Sequence, residues 1–203
     1  MFEVEIRGSL PQDTTKQELL VTLSEKFGDY EYTRELVIFF RYDYDMRFKY
    51  IRNAGEFVLK KKLNNESNQA EWVTRVAKND IPNFLFQLVH LGYKEGLLST
   101  GERYIFKKDD MEFCLKYDTP IGNFFELEKL ISDEKGVPEA ENQLKNLLKG
   151  FNLSSWSEKE YAEVKAKSLV ALKKIELLNK PKTGINKEIL QFVFNETPRE
   201  GLD

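Results

Sequence analysis

The chain has 203 residues, 41% of them apolar, enough for one large domain with a sizeable buried core. Charged residues make up 32% but the net charge is only −3, so the excess is mixed in sign, which argues against a surface coated for nucleic acid or membrane. The single cysteine, Cys114, excludes an intrachain disulfide, and the single histidine, His90, excludes a His-rich metal centre.

The opening FEVEIRG alternates strictly, with Phe2, Val4 and Ile6 on one face and Glu3, Glu5 and Arg7 on the other, which predicts a strand. Thr15 to Glu18 has the form of a helix capping box, and Leu19, Leu20, Leu23 and Phe27 follow at helical spacing as far as Gly28. YEYTRELVIFFRY and DMRFKYI read as a strand pair, Asn53-Ala54-Gly55 as a turn, EFVLKKKL as the returning strand, NNESNQ as a loop and EWVTRVA as a shorter strand. Asp80 is predicted to cap a second helix with Pro82 in its first turn, burying Ile81, Phe84, Leu85, Leu88 and Leu91 and stopping at Gly92. GERYIFKK and MEFCLKYD form a hairpin across Lys108-Asp109-Asp110, and NFFELEKL is a further strand.

The last third is helical in pattern. Pro138 to Lys149 is amphipathic through Ala140, Leu144, Leu147 and Leu148, and Ser157 to Glu160 is a second capping box. The helix it starts is expected to carry Tyr161, Val164, Leu169, Leu172 and Ile175. KPKTG breaks it, KEILQFVF is a short element of either type, and the tail from Glu196 is expected to be loose. Residues 1–180 are expected to form one domain and residues 181–203 a C-terminal extension. No apolar run approaches the roughly 20 residues of a membrane span, and strand-like sequence starts at residue 2, where a signal peptide would lie. The expectation is a cytoplasmic protein, a monomer or homodimer.

The charged faces of the strands form a pattern. Arg47 and Lys49 stand opposite Met46, Phe48 and Tyr50; Lys60 and Lys62 opposite Phe57 and Leu59. Glu71 goes with Arg75, Arg103 with Lys107, and Glu126 with Glu128, the last pair backed by Phe125 and Leu127. Any one such strand is ordinarily a sheet with a wet face. Here acidic pairs sit at both ends of the strand series and basic pairs between. If the sheet closes into a barrel, the first and last strands approach and four carboxylates converge. They repel one another unless a divalent cation neutralises them, and with so few His and Cys that cation is a hard one, magnesium or manganese. Metal beside cationic side chains is what holding a polyphosphate requires. His90, Cys114 and Tyr161 read as structural, and no Gly-rich phosphate loop is present.

These motifs resemble a known family. Glu3-Val4-Glu5-Ile6-Arg7 resembles the E-x-E-x-K signature that opens the CYTH, or triphosphate tunnel metalloenzyme, family. Met46 to Lys49 is similar to its paired basic motif, Val58-Leu59-Lys60 to its Thr-Leu-Lys strand, and Leu91-Gly92-Tyr93 with Arg103 to the end of its central helix and the arginine beyond. Gly122 to Glu128 resembles its G-x-F-x-E-I-E motif, and Ser157 to Val164 its closing helix. Four positions depart: Arg7 stands in place of Lys, Gly101 where a Lys is frequent, Lys116 where an Asp is frequent, and Val73 where an acid is common.

The resemblance implies an α+β fold, a closed eight-stranded antiparallel barrel with helices outside. It implies Mg2+ or Mn2+ on Glu3, Glu5, Glu126 and Glu128, and a small-molecule triphosphate gripped by Arg47, Lys49, Lys60 and Arg103, with Arg7 and Arg75 as helpers. Three activities stay open: hydrolysis of tripolyphosphate, thiamine triphosphate or a nucleoside triphosphate; cyclisation of ATP by a class IV-type adenylyl cyclase; and binding of a polyphosphate or nucleotide without turnover. Hydrolysis is placed first because it needs only water and a held triphosphate.

Overall fold

The computed structural model describes residues 2–41, 46–62, 69–179 and 184–194; the side chains of Phe2, Arg41, Lys60 to Lys62, Gln69 to Glu71, Ser168 and Leu169 lie outside that description. Most of NNESNQ and KPKTG, the tail from Glu196, and Tyr42 and Asp45 of the first strand pair also lie outside the described residues. In chain order the elements are β1 (Phe2–Ser9), α1 (Lys16–Phe27), β2 (Tyr30–Arg41), β3 (Met46–Ile51), β4 (Ala54–Lys62), β5 (Gln69–Ala77) and α2 (Ile81–His90). There follow β6 (Glu95–Lys108), β7 (Met111–Tyr117), β8 (Phe124–Ile131), α3 (Val137–Lys149), α4 (Glu158–Ala171), β9 (Lys173–Glu176) and α5 (Lys187–Phe194). This is an α+β chain of antiparallel ladders. No helix among the described residues is long and apolar enough to cross a membrane.

The chain divides into two compact units. The first comprises Met1–Arg34 and Gly101–Ala171. Its strands are ordered β1-β8-β7-β6-β2, an open ladder that starts at β1. In each ladder residues directly opposite share a face, and the registers Arg7↔Glu126, Cys114↔Glu126 and Arg103↔Lys116 put every charged residue of interest on one side. The other side is apolar: Val4, Tyr104, Phe106, Phe113, Leu115, Phe125 and Leu127 pack against Leu19, Leu20, Leu23 and Phe27 of α1 and Ala140, Leu144 and Leu148 of α3. Both helices meet the sheet through the stripe that the sequence shows. Thr15 caps α1 as expected, with the Thr15 backbone N–H donating to Glu18 Oε2 at 2.8 Å and the Glu18 N–H to Thr15 Oγ1 at 3.2 Å.

The second unit comprises Glu35–Thr100 and Leu172–Asp203. Here β2, β3, β4 and β5 pair in sequence, and β9 pairs with the first half of β6. The β3–β4 turn lies at Arg52-Asn53, one residue earlier than expected, and both residues have positive φ (53° and 59°), as a two-residue hairpin turn demands. Asp80 stands at the start of α2 but makes no side-chain cap, because a 3₁₀ turn, Lys78–Asp80, already delivers the chain in a helical conformation. Leu91 is not part of the buried face: it follows the last turn and is 74% exposed, while Val89 is buried in its stead.

The largest departure from expectation is at the end of α4. The helix stops at Ala171, and Leu172 and Ile175 are not in it. Lys173–Glu176 instead pairs with Glu95–Leu98, because the early part of β6 offers a free edge and Ile175 gains a buried seat there. KEILQFVF is a helix, α5, whose Ile189 and Val193 are fully buried. Tyr50 Oη donates to Val193 O at 3.1 Å, so residues 184–194 are core material of the second unit.

Candidate functional site

The first unit gathers charge on one face of its sheet. Strand alternation places Glu3, Glu5 and Arg7 of β1 on the side away from the core, and β8 brings Glu126 and Glu128 to the same side. Carboxylate oxygens of Glu3, Glu5 and Glu128 lie within 4.8 Å of one another. Three hard oxygen donors at that spacing fit a Mg2+ or Mn2+ ion, which takes oxygen ligands about 2.1 Å away. Their environment already favours neutralisation. Burial, then Glu126, pushes the Glu5 carboxyl up to about 7, and burial with Glu3 and Glu126 does the same to Glu128.

Glu126 stands apart from that trio. It is buried, and its bonds go to cations: Lys116 Nζ reaches Oε2 at 2.7 Å, Arg7 Nε donates to Oε1 at 3.1 Å, and Arg103 Nη2 lies 3.8 Å from Oε2. Burial alone would raise its pKa, but Lys116, Arg7 and Arg103 together hold its carboxyl well below the usual carboxylate range. It is therefore an ionised anchor at the centre of three positive groups.

Arg7 is held on three sides. Besides Glu126, its Nη2 donates to Glu5 Oε2 at 2.6 Å and its Nη1 to Tyr161 Oη at 3.1 Å, with the guanidinium 5.1 Å from the Tyr161 ring centroid. Burial works against its charge, but Glu5 and Glu126 outweigh that and keep it protonated. Tyr161 is reached through the loop before α4: the Trp156 N–H donates to Arg7 O at 2.7 Å and Trp156 Nε1 to Ser9 Oγ at 2.9 Å. Trp156 in turn stacks between Phe124 and Tyr161, at 5.8 and 6.2 Å. Gly8 allows this approach, since a Cβ there would lie 2.1 Å from Ser154 O.

The second unit carries the remaining predicted residues. By register Arg47 and Lys49 of β3 share a face with Val58 and position 60 of β4 and with Arg75 of β5. Lys49 Nζ is 3.9 Å from Glu35 Oε2, and Arg75 is exposed opposite Glu56. The Lys60 side chain lies outside the described residues.

Two residues of the charged face escaped the sequence reading. Lys116 was noted only as a departure, although alternation from Glu112 through Cys114 puts it on the polar side. Cys114, structural by its apolar neighbours along the strand, lies on the charged face, and Arg103 Nε donates to its Sγ at 3.3 Å. Burial pushes the Cys114 thiol up despite Arg103 and Lys116 nearby, so it stays protonated and quiet.

An antiparallel α+β sheet with a carboxylate cluster and closely placed cations on its polar face defines the class of architecture. No known family profile and no curated protein matches the chain. Solved structures do share its fold. The PH1819 protein of Pyrococcus horikoshii OT3 is 18% identical with a TM-score of 0.61, covering 82% of this chain and 99% of its own. The PH1012 protein of the same organism is 17% identical with a TM-score of 0.60, covering 78% and 93%. A candidate adenylate cyclase from Vibrio parahaemolyticus is 17% identical with a TM-score of 0.62, covering 82% and 98%. At these identities the likeness is one of fold alone.

Proposed function

We propose that this chain is a divalent-metal-dependent enzyme acting on a triphosphate, and that it hydrolyses it. The observation that carries the reading is the pairing on one sheet face of a three-carboxylate cluster with the buried Arg103 and the half-buried Lys116. Glu3, Glu5 and Glu128 would hold the ion, which when bound supplies charge neutralisation at the phosphate oxygens. Arg103 and Lys116 orient those oxygens, and Glu126 fixes both cations in place. Arg47, Lys49, Lys60 and Arg75 are assigned to the same substrate. We read the strands as closing into an eight-stranded tunnel, as the motif resemblance implies.

A second reading, cyclisation of ATP to cyclic AMP and pyrophosphate, is favoured by the shared fold with the candidate adenylate cyclase. One incubation series separates the two. The purified chain is given ATP, thiamine triphosphate and tripolyphosphate, each with Mg2+ or Mn2+, and the products are resolved. Orthophosphate release is the expected result. Cyclic AMP with pyrophosphate would replace hydrolysis by cyclisation, and tight binding without any product would reduce the chain to a binding module.

A further inference from the structure

Glu126 stands beside the carboxylate trio, yet both of its oxygens are already committed to cations. Oε1 accepts from Arg7, and Oε2 faces Lys116 at 2.7 Å and Arg103 at 3.8 Å. Lys116 cannot easily leave. Its side chain is only 12% exposed, and its ammonium lies 5.2 Å from the centre of the Phe124 ring, itself stacked on Trp156. A divalent ion on Glu126 would come within a few ångströms of three fixed positive charges in a site with little water to screen them. The trio of Glu3, Glu5 and Glu128 feels these cations less directly: Glu5 accepts from Arg7, while Lys116 and Arg103 act on Glu5 and Glu128 only through their charge.

Building on the metal-dependent reading above, we propose that the site takes a single divalent cation, on Glu3, Glu5 and Glu128, and that the Lys116 ammonium is the fixed positive charge of its other half. Lys116 then binds a triphosphate oxygen as a point charge, at a place where a metal would have to compete with it. Part of the grip on the substrate is thereby independent of metal concentration.

The test counts ions rather than turnover. Mn2+ is titrated into the purified chain and bound ion is measured by calorimetry and by electron paramagnetic resonance. One ion per chain is expected. Glu128→Gln should weaken it roughly tenfold or more, whereas Glu126→Gln should keep the count at one. Lys116→Asp, which gives Glu126 a carboxylate partner, should raise the count to two. In chelator, tripolyphosphate should still bind, about tenfold more weakly to Lys116→Met than to the parent chain. Two ions on the parent chain, or loss of the ion in Glu126→Gln, would overturn the single-ion proposal and leave the metal reading standing. No Mn2+ on the parent chain would remove both. If Lys116→Asp does not fold, the count on the parent chain decides.

Discussion

Glu126→Gln tests the central ion-pair cluster most directly. The carboxylate is buried and meets three cations, with Lys116 and Arg7 at 2.7 and 3.1 Å. Gln keeps an acceptor but removes the charge, leaving Arg7, Lys116 and Arg103 facing one another. Breaking a buried pair by removing one partner costs about 3–5 kcal/mol, and the surviving acceptor argues for the lower end, about 3 kcal/mol. For a chain of this size that is a fall in melting temperature of about 6–12 °C. Urea unfolding at pH 7, followed by far-ultraviolet circular dichroism, measures it. The gap between parent and variant should also depend on pH. The folded-state pKa of Glu126 is depressed, so its ionised form stabilises the fold fully above the ordinary value of 4.5, and that contribution is lost as pH falls below it. Each pH unit below that point should remove roughly 1.4 kcal/mol of the gap. A gap under about 1 kcal/mol at pH 7 would show a carboxylate solvated like any surface acid and not a central anchor.

Divalent binding should be tied to protons, because Glu5 and Glu128 both titrate near 7 without metal: Mn2+ affinity should rise at least about tenfold from pH 6 to pH 8, with proton release in calorimetry, and a flat profile would contradict the assignment. The same raised pKa values make the metal-free fold lose stability as pH climbs from 4.5 through 7, the folded state holding the extra protons in that window, so the melting-temperature drop of a chelated sample from pH 6 to pH 8 should shrink in Glu5→Gln and Glu128→Gln, and an unchanged drop would contradict the assignment. Gly8→Ala should cost about 1–3 kcal/mol by driving a methyl into Ser154 O and the Phe125 ring; unchanged unfolding would mean the 153–157 loop is not seated on β1. Ile189→Ala should cost about 2–5 kcal/mol, since α5 is core to the second unit; a neutral result would return residues 184–194 to the status of an appendage.

Alternation made much of this legible. The period-2 pattern of β1, β3 and β8 assigned the faces of Glu3, Glu5, Arg47, Lys49, Glu126 and Glu128, because one buried face forces the register. What alternation does not give is the cross-strand partner. Glu126 shares the face of Glu128, but Cα pairing with Arg7 on one side and Cys114 on the other decides that cations take it. For the same reason Lys116 stayed hidden: its worth comes from the neighbouring strand. The end of α4 misled for another reason. Leu172 and Ile175 keep a helical spacing, and only the open edge of β6, distant in sequence, makes a strand the better use of them. Leu91 fits the apolar stripe of α2 by count alone, but the helix has ended one residue before it.

The loop seated on β1 also gives the molecule an optical label. Of the chain's two tryptophans, Trp156 lies in the first unit, half-buried, bonded to Ser9 and stacked between Phe124 and Tyr161. Trp72 lies in the second, 56% exposed on β5. The two indoles should emit at different wavelengths, and Trp72→Phe or Trp156→Phe silences one unit at a time. Intrinsic fluorescence can then tell whether the units unfold together or in succession, and whether a triphosphate is felt at the stack beside Arg7.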